Sequence, residues 1–257
     1  REHRDGRLAT LVYGQPAALA VDPIEKKPLY HFLPGSLAFS VGTMGCNFRC
    51  LHCQNCSLSQ VPAGAYLREG PPIAPEAIAE KAEQANCAAI AYTYNEPTMF
   101  LEYALDIAAS ARERRLKNIF VTNGYITEEP LRRLAPVLDA ANVDLKFFRD
   151  DRYRQVCGAK LQPVLDAIRL YHELGIWLEV TTLVIPGYND DEEQLAGLAG
   201  FLAELDPDIP WHISGFYPTY QLTDAPPTPR EALERARECG RRAGLRYVYL
   251  GNVRGPA

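Results

Sequence analysis

With 257 residues, 47% of them hydrophobic and 23% charged, the chain is long enough for one large core or two small domains. Its net charge is −5, and its Lys and Arg residues are interspersed with acids, so nothing points to nucleic acid. No stretch approaches the roughly 18 apolar residues of a membrane span, and no signal-like segment opens the chain, so no membrane partner is expected either.

The chain begins on Arg1 rather than Met, as a processed or trimmed chain would. Residues 7–33 alternate loosely and carry the turn signals Gly14-Gln15-Pro16 and Asp22-Pro23, which predicts a small N-terminal β hairpin or cap over 1–35, closed by Pro34-Gly35. From residue 36 to 257 a βα rhythm follows. Strands are expected near 37–42, 88–94, 118–122, 143–147, 176–185 and 211–217. Helices are expected near 75–86, 98–115, 127–140, 162–174, 190–205 and 229–243, with a closing strand near 246–250. Such alternation means βαβ units and a parallel sheet. Six units suit an α/β fold of the partial (β/α)6 TIM-like barrel type, the rival being a doubly wound open sheet. Both place function at the C-terminal ends of the strands, where the distinctive residues of this sequence fall.

The first of these is the loop Gly45-Cys46-Asn47-Phe48-Arg49-Cys50-Leu51-His52-Cys53. Seven cysteines is an odd number, and three within eight residues read as metal binding in a reducing compartment, hence the cytoplasm, rather than as disulfides. Thiolates suit iron–sulfur clusters or zinc. A four-iron cube takes four ligands, so three cysteines leave one iron open to a small molecule. Cys56 would extend the run to four thiolates, which could instead close a structural zinc or electron-transfer site, making a non-catalytic scaffold. Cys87, Cys157 and Cys239 read as ordinary thiols.

The Cys-x3-Cys-x2-Cys spacing resembles the signature of the radical S-adenosylmethionine (SAM) superfamily. The resemblance implies a [4Fe–4S] cluster on Cys46, Cys50 and Cys53, with SAM on the open iron. One-electron cleavage of SAM to methionine and a 5′-deoxyadenosyl radical would follow, with the electron supplied by a flavodoxin- or ferredoxin-like donor. It places His52 and Asn55 near the nucleoside. Tyr94-Asn95-Glu96-Pro97 stands where members carry Gly-Gly-Glu-Pro, which implies that Asn95 and Glu96 hold the SAM ammonium. Thr122-Asn123-Gly124 and Asp144-Leu145-Lys146 match pyruvate formate-lyase activating enzymes, which puts Asn123 by the ribose or methionine and Lys146 on the SAM carboxylate, with Asp144 beside it. Strand alternation sets Asp144 and Lys146 on one face, and two charges in an apolar strand are costly unless used.

Four longer stretches resemble the radical SAM component of the AmmeMemoRadiSam system: residues 22–36 (Asp-Pro-Ile-Glu-Lys-Lys-Pro-Leu-Tyr-His-Phe-Leu-Pro-Gly-Ser), 92–98, 181–189 and 247–253. Members carry further cysteine-containing segments before the position of Arg1 and after that of Val253. Thr181 and Tyr220 depart from the activases, which have Arg and His there. The substrate is expected to be a protein or peptide, or else a small molecule, with Tyr92, Tyr94, Tyr217 and Tyr220 as candidate pocket residues.

Overall fold

The computed structural model describes residues 1–62 and 71–253, so parts of the expected barrel span (63–70 and 254–257) lie outside the described residues. A short antiparallel pair, β1 (Glu2–Arg4) and β2 (Arg7–Ala9), opens the chain. Then β3 (Ala18–Pro23) lies antiparallel on β4 (Leu37–Gly42), the first strand of a parallel series. The series continues through β5 (Ala89–Tyr92), β6 (Lys117–Thr122), β7 (Ala140–Asp144), β8 (Trp177–Val184), β9 (Trp211–Gly215) and β10 (Val248–Gly251). The sheet order runs β10-β9-β8-β7-β6-β5-β4-β3, each neighbour following in sequence.

After the single-turn α1 (Cys56–Ser59), one helix crosses over between each successive pair of parallel strands. These are α2 (Pro75–Gln84), α3 (Leu101–Glu113), α4 (Glu128–Leu134), α6 (Gln162–Glu173), α7 (Glu192–Leu205) and α8 (Arg230–Ala243). One turn, α5 (Asp150–Arg152), runs into a π-helix at Tyr153–Cys157. Six βα units and a closing strand form the partial barrel expected from the sequence.

Two expectations shift. The hairpin over 7–33 divides, because residues 18–23 find a better partner in the open edge of β4 than in their own neighbours. The fourth parallel strand covers 140–144 rather than 143–147, and the helix before it ends early, in a 3-10 turn at Ala135–Val137 around Pro136. Ala140-Ala141-Asn142 has weak β propensity, so its strand character comes from burial between β6 and β8. Lys146 therefore lies past the strand end, though Leu145 N still donates to Thr181 O at 2.9 Å.

Strand alternation separates two cores. Phe39, Val41, Ile90, Tyr92, Phe120, Ala141 and Val143 join the large core under the helices. Ala38, Ala89, Ala91, Ile119 and Ala140 face inward and form a second, smaller core with Ile24 and Leu29, against which Phe32 and Leu33 pack. The four inward alanines leave room inside the barrel, and the segment after β3 fills it as a plug. Glu179 on β8 fastens this plug by accepting the N–H groups of Tyr30 and His31, both at 2.9 Å, and also His212 Nε2 at 2.7 Å. Asn142 Nδ2 donates to Pro28 O at 2.9 Å. Leu29→Ala is expected to destabilise the fold by about 2–5 kcal/mol, because a fully buried side chain would leave a cavity that the alanine-lined wall cannot fill. Urea unfolding measures this, and a loss below about 1 kcal/mol would mean the plug is not packed in solution.

Candidate active site

Above the plug, at the C-terminal ends of the strands, lies a cleft of about 460 Å³. Cys46, Cys50 and Cys53 line it together with Lys146, Asp144, Glu96 and His52. The cysteine loop leaves β4 through Gly45 at φ 94°, a conformation glycine adopts without strain. Asn95 clamps that exit: Thr43 N donates to its Oδ1 at 3.1 Å, and its Nδ2 donates to Gly45 O at 2.7 Å. Further along, Arg49 N donates to Cys157 O and Leu51 N to Val156 O, both at 2.9 Å, so the loop is pinned on the π-helix. Gln221 N and Leu222 N close on Leu51 O from the other side at 3.0 Å. Phe48 is buried edge-on against Tyr125 and Tyr153. A loop held at this many points presents its thiols in a preset arrangement.

The three thiols differ in surroundings. Burial pushes Cys46 up to about 12, with the nearby Glu96 adding to the rise. Burial also raises Cys53, although its Sγ lies 2.9 Å from Ser59 Oγ. Cys50 is lowered, chiefly by a hydrogen bond from the Cys157 thiol. The ammonium of Lys146 favours the thiolate at all three. Among the described residues no three His, Cys, Asp or Glu side chains converge on a single metal ion. The ligands of a cube stand on separate irons and so further apart. Three soft donors beside a fixed positive charge fit an iron–sulfur cluster, which carries net negative charge once its thiolates are bound.

Glu96 is fully enclosed. Its Oε1 accepts Thr98 N at 3.1 Å and Thr122 Oγ1 at 2.8 Å, and its Oε2 accepts Asn123 N at 2.8 Å. Burial raises its pKa against the lowering by these bonds. It thus ties the ends of β5 and β6 together and keeps acceptor capacity only on Oε2. Asn123 is also engaged with the loop, its Nδ2 donating to Asn47 Oδ1 at 2.7 Å and lying 3.8 Å from Cys46 Sγ. Asn95, Glu96 and Asn123, expected as cofactor contacts, are therefore also the struts that position the cysteine loop. Asn55 lies exposed on the cleft wall.

Lys146 Nζ and Asp144 Oδ2 pair at 2.7 Å at the cleft wall. Burial disfavours the ammonium, but the charges of Asp144, Cys50 and Cys157 outweigh it and raise the pKa well above the usual lysine value. His52 is held neutral, its pKa down to about 3, by burial and by Lys146. Its Nδ1 is buried with no hydrogen-bond partner among the described residues, an unmet demand on a wall of the cleft that a bound nucleoside could satisfy.

The four tyrosines separate. Tyr94 lines the cleft at φ 72°, so where glycine would be relaxed a tyrosine is held in a strained backbone. What holds it is its hydroxyl, which donates to Asp22 Oδ2 at 2.6 Å. The close approach of Gly42 helps explain the fixed backbone, since a Cβ there would meet Thr93 O at 2.8 Å. Tyr92 points the other way, into the core under the helices, with its hydroxyl 3.0 Å from Asn118 Oδ1, and the expectation that it lines a substrate pocket is corrected. Tyr217 and Tyr220 sit outside the cleft lining, Tyr220 being 40% exposed, so they too do not join the site.

Sequence reasoning missed Asp22, Lys26, Lys27 and Pro28 as parts of the site, although two lysines and an aspartate in an apolar cap were a visible signal. It also missed Cys157, which carried no motif and becomes significant only because the π-helix folds back on the loop.

Residues 40–199 match the profile of the Radical SAM superfamily. The uncharacterized protein MJ0808 of Methanocaldococcus jannaschii is 49% identical over 99% of this chain and 75% of its own length. The pyruvate formate-lyase 1-activating enzyme of Escherichia coli K12 is 20% identical over 84% of this chain and 93% of its own. An isethionate sulfite-lyase activating enzyme of Nitratidesulfovibrio vulgaris is 31% identical over 47% of this chain and 41% of its own. In fold, the chain is similar to a radical SAM methyltransferase from Sphaerobacter thermophilus, with TM-score 0.64, 20% identity, and 87% and 67% of the two chains covered. It is likewise similar to SAM-bound SuiB of Streptococcus suis, with TM-score 0.62, 14% identity, and 83% and 49% covered. Among the described residues no helix is long and apolar enough to cross a membrane. With its cysteine loop at the mouth of a partial barrel and the superfamily match spanning more than half its length, this chain belongs to the radical SAM superfamily, whose enzymes use a [4Fe–4S] cluster and SAM.

Proposed function

We propose that the cleft holds a [4Fe–4S] cluster on Cys46, Cys50 and Cys53 with SAM beside it, and that the enzyme abstracts hydrogen from a protein or peptide substrate. The observation that carries this reading is that the three thiols, the Lys146–Asp144 pair and the unpartnered His52 Nδ1 all line one cleft. When bound, the cluster supplies one electron to SAM, which yields methionine and a 5′-deoxyadenosyl radical.

Each residue has a stated part. Lys146 would receive the SAM carboxylate, Glu96 Oε2 would accept from the ammonium, and neutral His52 would offer Nδ1 to the nucleoside with Asn55 alongside. Asn95 and Asn123 fix the loop, and the enclosing walls keep water from the reactive carbon. A protein substrate is supported by relatives whose names describe them as activating enzymes. A small-molecule substrate is the second reading, supported by the plug that closes the barrel interior beneath the cleft. The one-electron donor is of the flavodoxin or ferredoxin type, which suits a reducing, cytoplasmic setting. The long stretches at 22–36 and 247–253 ally the chain with the radical SAM component of the AmmeMemoRadiSam system. The 1–35 cap and the 36–257 barrel then work as one unit.

Anaerobic reconstitution followed by reduction with dithionite tests the chemistry. About four irons per chain and release of 5′-deoxyadenosine are expected, and stoichiometric zinc without SAM cleavage would defeat the reading. Cys56→Ala is expected to keep both iron and cleavage at the parent level, because Cys56 opens α1 and does not line the cleft with the other three. Loss of iron from that variant, by colorimetric assay, would make Cys56 a ligand and revive the four-thiolate scaffold.

A further inference from the structure

The floor of the cleft carries a positive charge that the site described above does not use. Asp22, 5% exposed, accepts four hydrogen bonds: Lys26 Nζ at 2.7 Å on Oδ1, and Lys27 Nζ at 2.7 Å, Tyr94 Oη at 2.6 Å and Ser40 Oγ at 2.8 Å on Oδ2. A carboxylate has about four acceptor sites, and Asp22 receives four donors, three of them on Oδ2. Two ammonium groups share its single negative charge, which leaves one positive charge over. Both lysines line the cleft. The Lys27 side chain is 2% exposed, yet among the described residues Asp22 is its one hydrogen-bond partner, with the Tyr94 ring 4.9 Å from Nζ on another side. An ammonium has three donors, and buried donors left unmatched are costly. The Lys26 side chain is 63% exposed and free to turn toward a ligand. Elsewhere in the cleft Lys146 is matched one to one by Asp144, and Glu96 by three donors.

We propose that Lys26 and Lys27 form an anion subsite in the cleft floor, and that the substrate presents a carboxylate to it. A carboxylate brings one negative charge and so cancels the surplus, whereas a phosphate at neutral pH would overshoot it. Asp22 and Tyr94 are positioning residues: they hold the two ammonium groups between the plug and the end of β5. The carboxylate can belong to a free acid or to an acidic peptide side chain, and the proposal rests on the reading that SAM occupies the rest of the cleft.

The test uses reconstituted protein with SAM bound, at fixed ionic strength, titrated by calorimetry with the monocarboxylate propionate and with a capped Gly-Glu-Gly peptide. Saturable binding of at least one probe is expected, weakened tenfold or more in both Lys26→Met and Lys27→Met and unchanged in the surface control Lys160→Met. The probe that binds tells a free acid from a peptide carboxylate. Equilibrium binding of SAM itself should match the parent in both variants. Lys26 is exposed, so its variant decides the matter should Lys27→Met fail to fold. Failure of both probes to bind, or equal binding by parent and variants, overturns the subsite while leaving the SAM reading intact. Loss of probe binding in Lys146→Met alone would place the anion on the SAM carboxylate position and equally overturn it. Failure of the parent to bind SAM would fell the reading of the cleft, and the substrate subsite with it.

Discussion

Replacing any one of Cys46, Cys50 or Cys53 by alanine is expected to abolish SAM cleavage and to strip most of the iron from reconstituted protein. Each of the three would hold a different corner of the cube, and no other described side chain is placed to substitute on the same wall. Cys157 is the nearest candidate, since its thiol already bonds Cys50, but it sits behind the loop on the π-helix and is itself pushed well above the usual thiol range, first by that bond and then by burial. The fold should survive, because the loop is pinned by backbone bonds to Val156, Cys157, Gln221 and Leu222 rather than by the thiols. Iron analysis, the absorbance of the cluster and circular dichroism check the three parts separately. Retention of about four irons and parent-level cleavage in any one variant would show that the ligand set has been wrongly assigned.

The second large effect is expected at Lys146. Lys146→Met should weaken SAM binding roughly 30-fold or more, since removing one member of a desolvated, hydrogen-bonded charge pair costs about 2–5 kcal/mol. Two losses combine: the SAM carboxylate is without its partner, and Asp144 is left as an unpaired negative charge facing it. Iron content should stay at the parent level, as Lys146 is not a ligand. Equilibrium dialysis of SAM against oxidised, reconstituted protein measures this without any substrate, and parent-like affinity would mean that the methionine end of SAM lies elsewhere. Glu96→Ala is expected to behave differently. It would orphan Thr98 N, Thr122 Oγ1 and Asn123 N in the interior, each at about 1–3 kcal/mol, so loss of SAM binding there would come with loss of stability.

The difference between Lys146 and Glu96 could not be read from the chain. Both sat at expected strand ends and both matched superfamily motifs, yet one projects its charge into the cleft wall and the other is enclosed by three donors. How much of each motif residue's charge stays available to a ligand depends on where neighbouring strand ends bring their donors, and those from β6 are remote in sequence. Tyr92 and Tyr94 make the same point at closer range. Two residues apart, they would lie on one face of a continuous strand, but β5 ends at Tyr92 and the backbone turns to positive φ at Tyr94. One ring therefore enters the helical core and the other enters the cleft.

Local chemistry was sufficient for the cysteine loop, the βα rhythm and the partial barrel, because ligand spacing, hydrophobic periodicity and turn residues act over a few positions along the chain. Contacts between distant segments decided the rest. The antiparallel docking of β3, the plug seated among four inward alanines, Cys157 folded against Cys50, and Tyr94 closing on the Asp22–Lys26–Lys27 cluster each join parts of the chain that no local pattern links. Burial in a common interior gives such contacts their strength: a charge or hydroxyl that water would satisfy in the unfolded chain must there find its partner within the protein, and the topology of the sheet sets which partner is in reach.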